Sequence, residues 1–261
     1  MNLNDLTTRL LFTTVPIWAD KPGGNESATA FIYNARVEGK PGQSNPMLVM
    51  SYHTVKNAHQ VAVEFVERKG SLPDATKKLT VTINPDQFMR YSDSTLDLAA
   101  APIGPLLDLK QALGHSIFIW SIDPSLVPSP KVLGELSAME DIVFIGYPCG
   151  LRDEINSIPL IRYGITSTPV WNDFQGNPYF LIDAGVFPGS SGSPVFILNQ
   201  GTYLTKSGIT IGSRILFLGM LTETMIRQST PQVYLGIGKV LRSDVLTKFL
   251  SRVPTSTMAV H

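Results

Sequence analysis

Short apolar or alternating runs, each closed by turn residues, dominate this chain. The first series is "ATAFIYNARV" (centred on 29–37), "PMLVMSYH" (46–53), "QVAVEFVER" (60–68), "KLTVTIN" (78–84) and "DLAAAPI" (97–103). The second is "EDIVFIGYP" (140–148), "IRYGITST" (161–168), "YFLIDAGVF" (179–187), "PVFIL" (194–198), "ILFLGMLTET" (215–224) and "VYLGIGKVL" (233–241). Runs of this length with period-two character, separated by "GKPGQSNP", "KGSLPD" or "NPDQ", predict strands in a sandwich or barrel. A Pro- and Ser-rich segment, 121–140, reads as a connector between the two series. Helical spacing is confined to "LLDLKQAL" (106–113) and "RSDVLTKFLSRV" (242–253). In the second helix Val245, Leu246, Phe249 and Leu250 make one apolar face, with Ser243 as the expected N-cap.

Composition narrows the function classes. The 261 residues are 43% hydrophobic, enough for a large core, and 21 basic residues balance 21 acidic ones. Neutral charge without a run of one sign argues against nucleic acid or an anionic membrane as the partner. A lone Cys149 excludes an internal disulfide. Together with His53, His59, His115 and His261 it offers no metal-ligand spacing, so neither metal nor cofactor is expected. The opening residues lack the features of a secretory signal, and no run approaches a membrane span, which leads to the expectation of a cytoplasmic protein.

One stretch breaks the pattern. "FPGSSGSPVF" (187–196) has the composition of a flexible linker but sits between two apolar runs. Glycines around a serine allow a tight turn that exposes the hydroxyl and aims backbone N–H groups at one point. An acyl-transfer nucleophile needs that arrangement, and an ordinary Gly/Ser turn is the plain alternative. What separates the two is a histidine and an acid elsewhere. His53 ends an apolar run, Asp97 begins another, and Ser191 follows, with separations of 44 and 94 residues. The order His, Asp, Ser is the one used by chymotrypsin.

On these residues the chain resembles trypsin-like (chymotrypsin-fold) serine proteases, and among them bacterial HtrA/Deg-type protease domains. Their D-A-x-I-N-P-G-N-S-G-G-P segment is similar to "DAGVFPGSSGSP" (183–194), their I-G-x-P-F-G-L to "IGYPCGL" (145–151), and their G-I-V-S and G-I-G-x-A-I to "GITS" and "GIGKVL". The "GSPVF" ending also resembles glutamyl endopeptidases. The likeness runs from about residue 28 to 245. It implies an all-β fold of two six-stranded antiparallel Greek-key barrels with a C-terminal helix. As a single peptidase domain this divides into a barrel over about 25–115, a connector over about 116–139, a barrel over about 140–242 and a helix over about 243–253. No PDZ module is expected, since 70 residues follow Ser191.

The resemblance implies catalytic roles for His53 (general base), Asp97 (its orienter) and Ser191 (nucleophile), with the Gly189 and Ser191 N–H groups as oxyanion hole. His59 and Asp93 are the competing residues and read as surface and loop positions. Ser190 and Ser193 read as turn hydroxyls bonded to local backbone. Ser190 also stands where a zymogen-activated relative keeps an Asp. Tyr52 replaces a small residue behind the histidine ring. An uncharged pocket is implied, with Gly185 at its base, Val186 and Leu221 on its walls, and Thr222 on the strand that would pair with substrate. Small or medium apolar residues before the cut bond follow from it. Cys149 reads as a small turn residue, with a redox-sensitive thiol as the alternative. Partners implied are a protein or peptide substrate and a regulatory protein. Two other functions share these residues: a silent or latent barrel that binds proteins, and an acyl hydrolase.

Overall fold

In the computed structural model, residues 3, 5–37, 39, 42–206, 208–227 and 233–253 are described. The first half holds β1 (Thr14–Lys21), β2 (Gly24–Arg36), β3 (Ser44–Ser51), β4 (Gln60–Lys69), β5 (Leu72–Ile83), β6 (Ser92–Asp93), β7 (Leu98–Pro102) and β8 (Ile117–Phe118). They form one antiparallel sheet in the order β5-β4-β1-β2-β3-β7-β6, with β8 on β4. The second half holds β9 (Asp141–Gly146), β10 (Leu160–Thr166), β11 (Tyr179–Asp183), β12 (Pro194–Asn199), the hairpin β13 (Thr202–Thr205) and β14 (Gly208–Ile211), β15 (Arg214–Arg227) and β16 (Val233–Arg242). Here β10-β11-β16-β15-β12-β9 close into a barrel. The all-β, chymotrypsin-like class that the resemblance implies is the one observed. The first half differs in detail, with eight strands in an unclosed path in place of six in a barrel.

Why the strands of the first series read as near-continuous apolar runs is visible in β2. Ala28, Ala30 and Ile32 point into the core of the first sheet, beside Val15, Ile17, Leu48, Met50 and Val63. Phe31, Tyr33 and Ala35 point the other way, into a second core shared with Phe196, Phe217, Met220 and Leu241 of the closed barrel. A strand buried on both faces loses its polar alternation. The shared core also takes Leu246 and Leu250 of the last helix, Ser243–Leu250, so this amphipathic helix seals the joint between halves. Its N-cap is Arg242, which makes no side-chain cap bond. Ser243 is the first helical residue and is buried, one position inside the cap expected for it.

The first sheet begins at Thr14, ahead of the boundary expected near residue 25, and β1 was not expected at all. The segment between the halves contains one short α-helix, Pro130–Glu135, capped by the Ser129 side chain on the Val132 N–H.

Candidate active site

His53 does not lie on a strand. β3 ends at Ser51 and the chain turns at once into a single helical turn, Tyr52–Val55, which carries the histidine. Val55 and the half-buried Tyr52 pack into the first core, so the turn is held by its apolar neighbours while the His53 side chain stays 44% exposed. Asp97 sits just ahead of β7 with a left-handed backbone (φ 48°). That conformation is uncommon outside Gly, and Asp and Asn tolerate it better than most. Asp97 meets the histidine turn three times. Its carbonyl accepts the Tyr52 N–H (3.1 Å), Oδ1 accepts the His53 N–H (2.8 Å), and Oδ2 lies 2.7 Å from His53 Nδ1. The competitors stand apart: His59 is exposed, and Asp93 bonds the Thr95 hydroxyl and N–H and the Leu96 N–H of its own loop.

The Gly/Ser loop is fixed from both halves. Thr29, fully buried on β2, donates its N–H to the Ser191 carbonyl (3.0 Å) and its hydroxyl to the Gly189 carbonyl (3.0 Å). The same hydroxyl accepts the Tyr147 N–H (3.0 Å). From the barrel, Leu221 accepts the Gly192 N–H (2.7 Å) and donates its own to Ser193 (2.9 Å). Gly192 has φ 88°, and a Cβ there would lie 1.9 Å from the Thr29 carbonyl oxygen, so only Gly fits. Thus the linker-like composition belongs to a clamped turn. Ser191 is half-buried, whereas Ser190 and Ser193 are fully buried and their hydroxyls have no hydrogen-bond partner. The expected bonds to local backbone are absent there, because both side chains turn into packed protein. The Ser193 hydroxyl abuts Gly146, where a Cβ would come within 2.1 Å of it.

His53, Asp97, Gly189, Ser191 and Thr222 line one cleft of about 880 Å³, with Glu26, Lys56, Glu223, Thr224, Ile226, Tyr234 and Lys239 among its other walls. Among the described residues, the N–H groups of Gly189 and Ser191 make no hydrogen bond, and neither does the Ser191 hydroxyl. Two donors on a clamped turn beside a free hydroxyl can stabilise a developing oxyanion. For the His53 ring, burial is the largest single influence on its pKa and pulls it down. The Asp97 hydrogen bond, the Asp97 charge and the Glu26 charge outweigh it, Lys21 opposes them, and the net shift is upward.

The pocket expected around Gly185 is placed differently. Val186 and Leu221 are fully buried in the barrel core and do not line the cleft. Their side chains meet over Gly238, where a Cβ would lie 2.8 Å from Val186 Cγ2 and 2.5 Å from Leu221 Cδ1. Gly185 is also off the cleft, and a charge reaches it: the Arg162 guanidinium donates to its carbonyl (3.1 Å). Of the four pocket residues expected, only Thr222 lines the cleft, its hydroxyl bonded to the Lys239 carbonyl (3.1 Å). Cys149 is exposed with a left-handed backbone (φ 52°), and its N–H bonds the Pro188 carbonyl (2.6 Å), which ties its turn to the nucleophile loop. Sequence reasoning missed Thr29 and Glu26. A lone threonine within an apolar run, 160 residues from the loop it clamps, and a glutamate in a polar hairpin carry no local signal of the site.

Fold and site geometry together define a trypsin-like protease fold. Comparison with solved structures agrees. The chain superposes on an HtrA-type protease, AlgW with a tripeptide, at a TM-score of 0.52 and 17% identity over 93% of its length. On the serine endoprotease from Yersinia pestis the values are 0.51, 16% and 95%. The chain spans 60% and 65% of those two proteins' chains, and at this identity the likeness is one of fold. No family model and no curated protein matches the sequence. No helix among the described residues is long and apolar enough to cross a membrane.

Proposed function

We propose that the protein is a serine endopeptidase that cuts peptide bonds through an acyl-enzyme. The observation that carries this reading is the Asp97–His53 pair on the same cleft as a Ser191 whose loop presents two unengaged N–H groups. In this reading Ser191 Oγ attacks the scissile carbonyl and His53 Nε2 takes its proton. Asp97 holds the ring with Nδ1–H toward itself and stabilises the cation that forms. The Gly189 and Ser191 N–H groups receive the oxyanion, each contributing about 10²–10³ in rate. His53 then protonates the departing amine, and water reverses the sequence to release the acid.

The acyl half of the substrate would extend along Thr222–Thr224 of β15, past Met220 where the pairing with β12 ends. Digestion of a peptide library by the purified protein, with Ser191→Ala as control, tests the reading. Peptide cleavage that is lost in the variant supports it. Ester hydrolysis without peptide cleavage would favour the acyl-hydrolase alternative.

A latent form is the second reading, and one observation favours it. The Ser191 hydroxyl is not bonded to His53, whose Nε2 instead lies 3.8 Å from Glu26. In the first reading that hydrogen bond forms only when substrate is bound.

A further inference from the structure

Glu26 lines the same cleft as Glu223 and Thr224 of β15. Its Oε1 is 3.8 Å from His53 Nε2, and its side chain is 37% exposed. The other oxygen, Oε2, is held by Lys21 Nζ at 2.5 Å, and the same ammonium donates to the His53 carbonyl at 2.7 Å. Lys21 is 18% exposed and does not line the cleft, whereas Glu26 does. The hairpin between β1 and β2 thus carries a carboxylate with one oxygen held by Lys21 and the other near His53.

Position follows from the chemistry of the proposed reaction, on which this inference rests. His53 Nε2 must hand its proton to the departing nitrogen, so that nitrogen lies within hydrogen-bond reach of Nε2. The residue bearing it is the first after the cut bond. Its side chain therefore starts within about 10 Å of Glu26 Oε1, a span that an Arg or Lys side chain can bridge. The acyl half runs the other way, along Thr222–Thr224, where Lys239 pairs with the exposed Glu223 at 3.2 Å. Lys56, the remaining ammonium on the cleft, stands over the Tyr52 ring at 5.9 Å and has no ion-pair partner among the described residues. Glu26 is the carboxylate that stands 3.8 Å from His53 Nε2, with Oε2 paired to Lys21 and Oε1 left for the substrate.

We infer that Glu26 selects the leaving-group side of the substrate, favouring Arg or Lys and rejecting Asp or Glu at the first position after the cut bond. Attraction and repulsion both act, and each is that of a partly exposed pair, so selection is moderate.

The test uses three fluorogenic peptides that differ only in that residue: Arg, Gln or Asp. The ratio of kcat/KM for the Arg and Asp peptides is compared within each enzyme, which cancels any effect of a variant on His53 itself. Wild type should favour Arg by about fivefold or more. Glu26→Gln should bring the ratio near one, and Glu26→Lys should invert it. Peptides cut without a preference for Arg, or with a ratio that Glu26→Gln leaves unchanged, would overturn the inference alone. If wild type cuts none of the three and Ser191 takes no phosphonate, the protease reading itself falls, and the inference with it.

Discussion

Asp97 holds His53 at two points at once: Oδ2 lies 2.7 Å from the ring Nδ1, and Oδ1 accepts the His53 main-chain N–H at 2.8 Å. The second bond fixes the helical turn and the first fixes the ring. Asp97→Asn separates structure from chemistry. Asn tolerates the left-handed backbone at this position and keeps an oxygen for the main-chain bond. Its amide can donate to Nδ1, which leaves the proton on Nε2, where Ser191 needs an acceptor. Peptidase activity should fall roughly 10⁴-fold with little change in urea midpoint. Steady-state kinetics beside urea unfolding check this. A loss of stability that matches the loss of activity would show that Asp97 serves the fold.

The raised pKa of His53 sets a pH dependence of stability. A group whose folded pKa exceeds its unfolded value stabilises the fold fully below the unfolded value, about 6.5 for imidazole. That contribution disappears as pH rises through the folded pKa. The urea midpoint of wild type relative to His53→Ala should therefore be more favourable at pH 5 than at pH 9. The acidic limb of kcat/KM should lie above about 6.5, because the base must be neutral to act. Midpoints that differ equally at both pH values would contradict the assigned environment.

Thr29 joins the two halves through the nucleophile loop. Thr29→Val keeps the volume and removes the hydroxyl that serves the Gly189 carbonyl and the Tyr147 N–H. Buried polar groups left without partners cost about 1–3 kcal/mol each, so the variant should unfold at lower urea. Gly189 also supplies an oxyanion donor in the proposed mechanism, so kcat should fall further than KM changes. Thr29→Ser should recover most of both. A Thr29→Val enzyme with unaltered kcat would show that the loop is held without this hydroxyl.

Much of the architecture was legible because its signals are local. Apolar runs closed by Gly and Pro marked most strands, and the Gly/Ser turn stood out because its composition conflicts with its flanks. β1 escaped because "TVPIWADK" is interrupted by Pro16, which lacks an N–H and usually demotes a strand. The β13–β14 hairpin escaped because it has no core: Leu204, Ile209 and Ile211 are exposed, so no burial pattern marks it. The pocket was misplaced for another reason. A fixed offset from Ser191 names positions along the chain, but packing decides which side chains face the cleft. Val186 and Leu221 turn into the barrel, and Glu26 arrives from a hairpin that no offset reaches.

Covalent labelling with a fluorophosphonate, read by intact mass and peptide mapping, tests the central claim most directly. The purified wild type should gain one phosphonyl group on Ser191. Ser190→Ala and Ser193→Ala should label as wild type does, since both hydroxyls are buried away from the cleft. Ser191→Ala, and His53→Ala over the same interval, should not label. A phosphonyl group that persists in Ser191→Ala, or one mapped to another serine in wild type, would contradict the account.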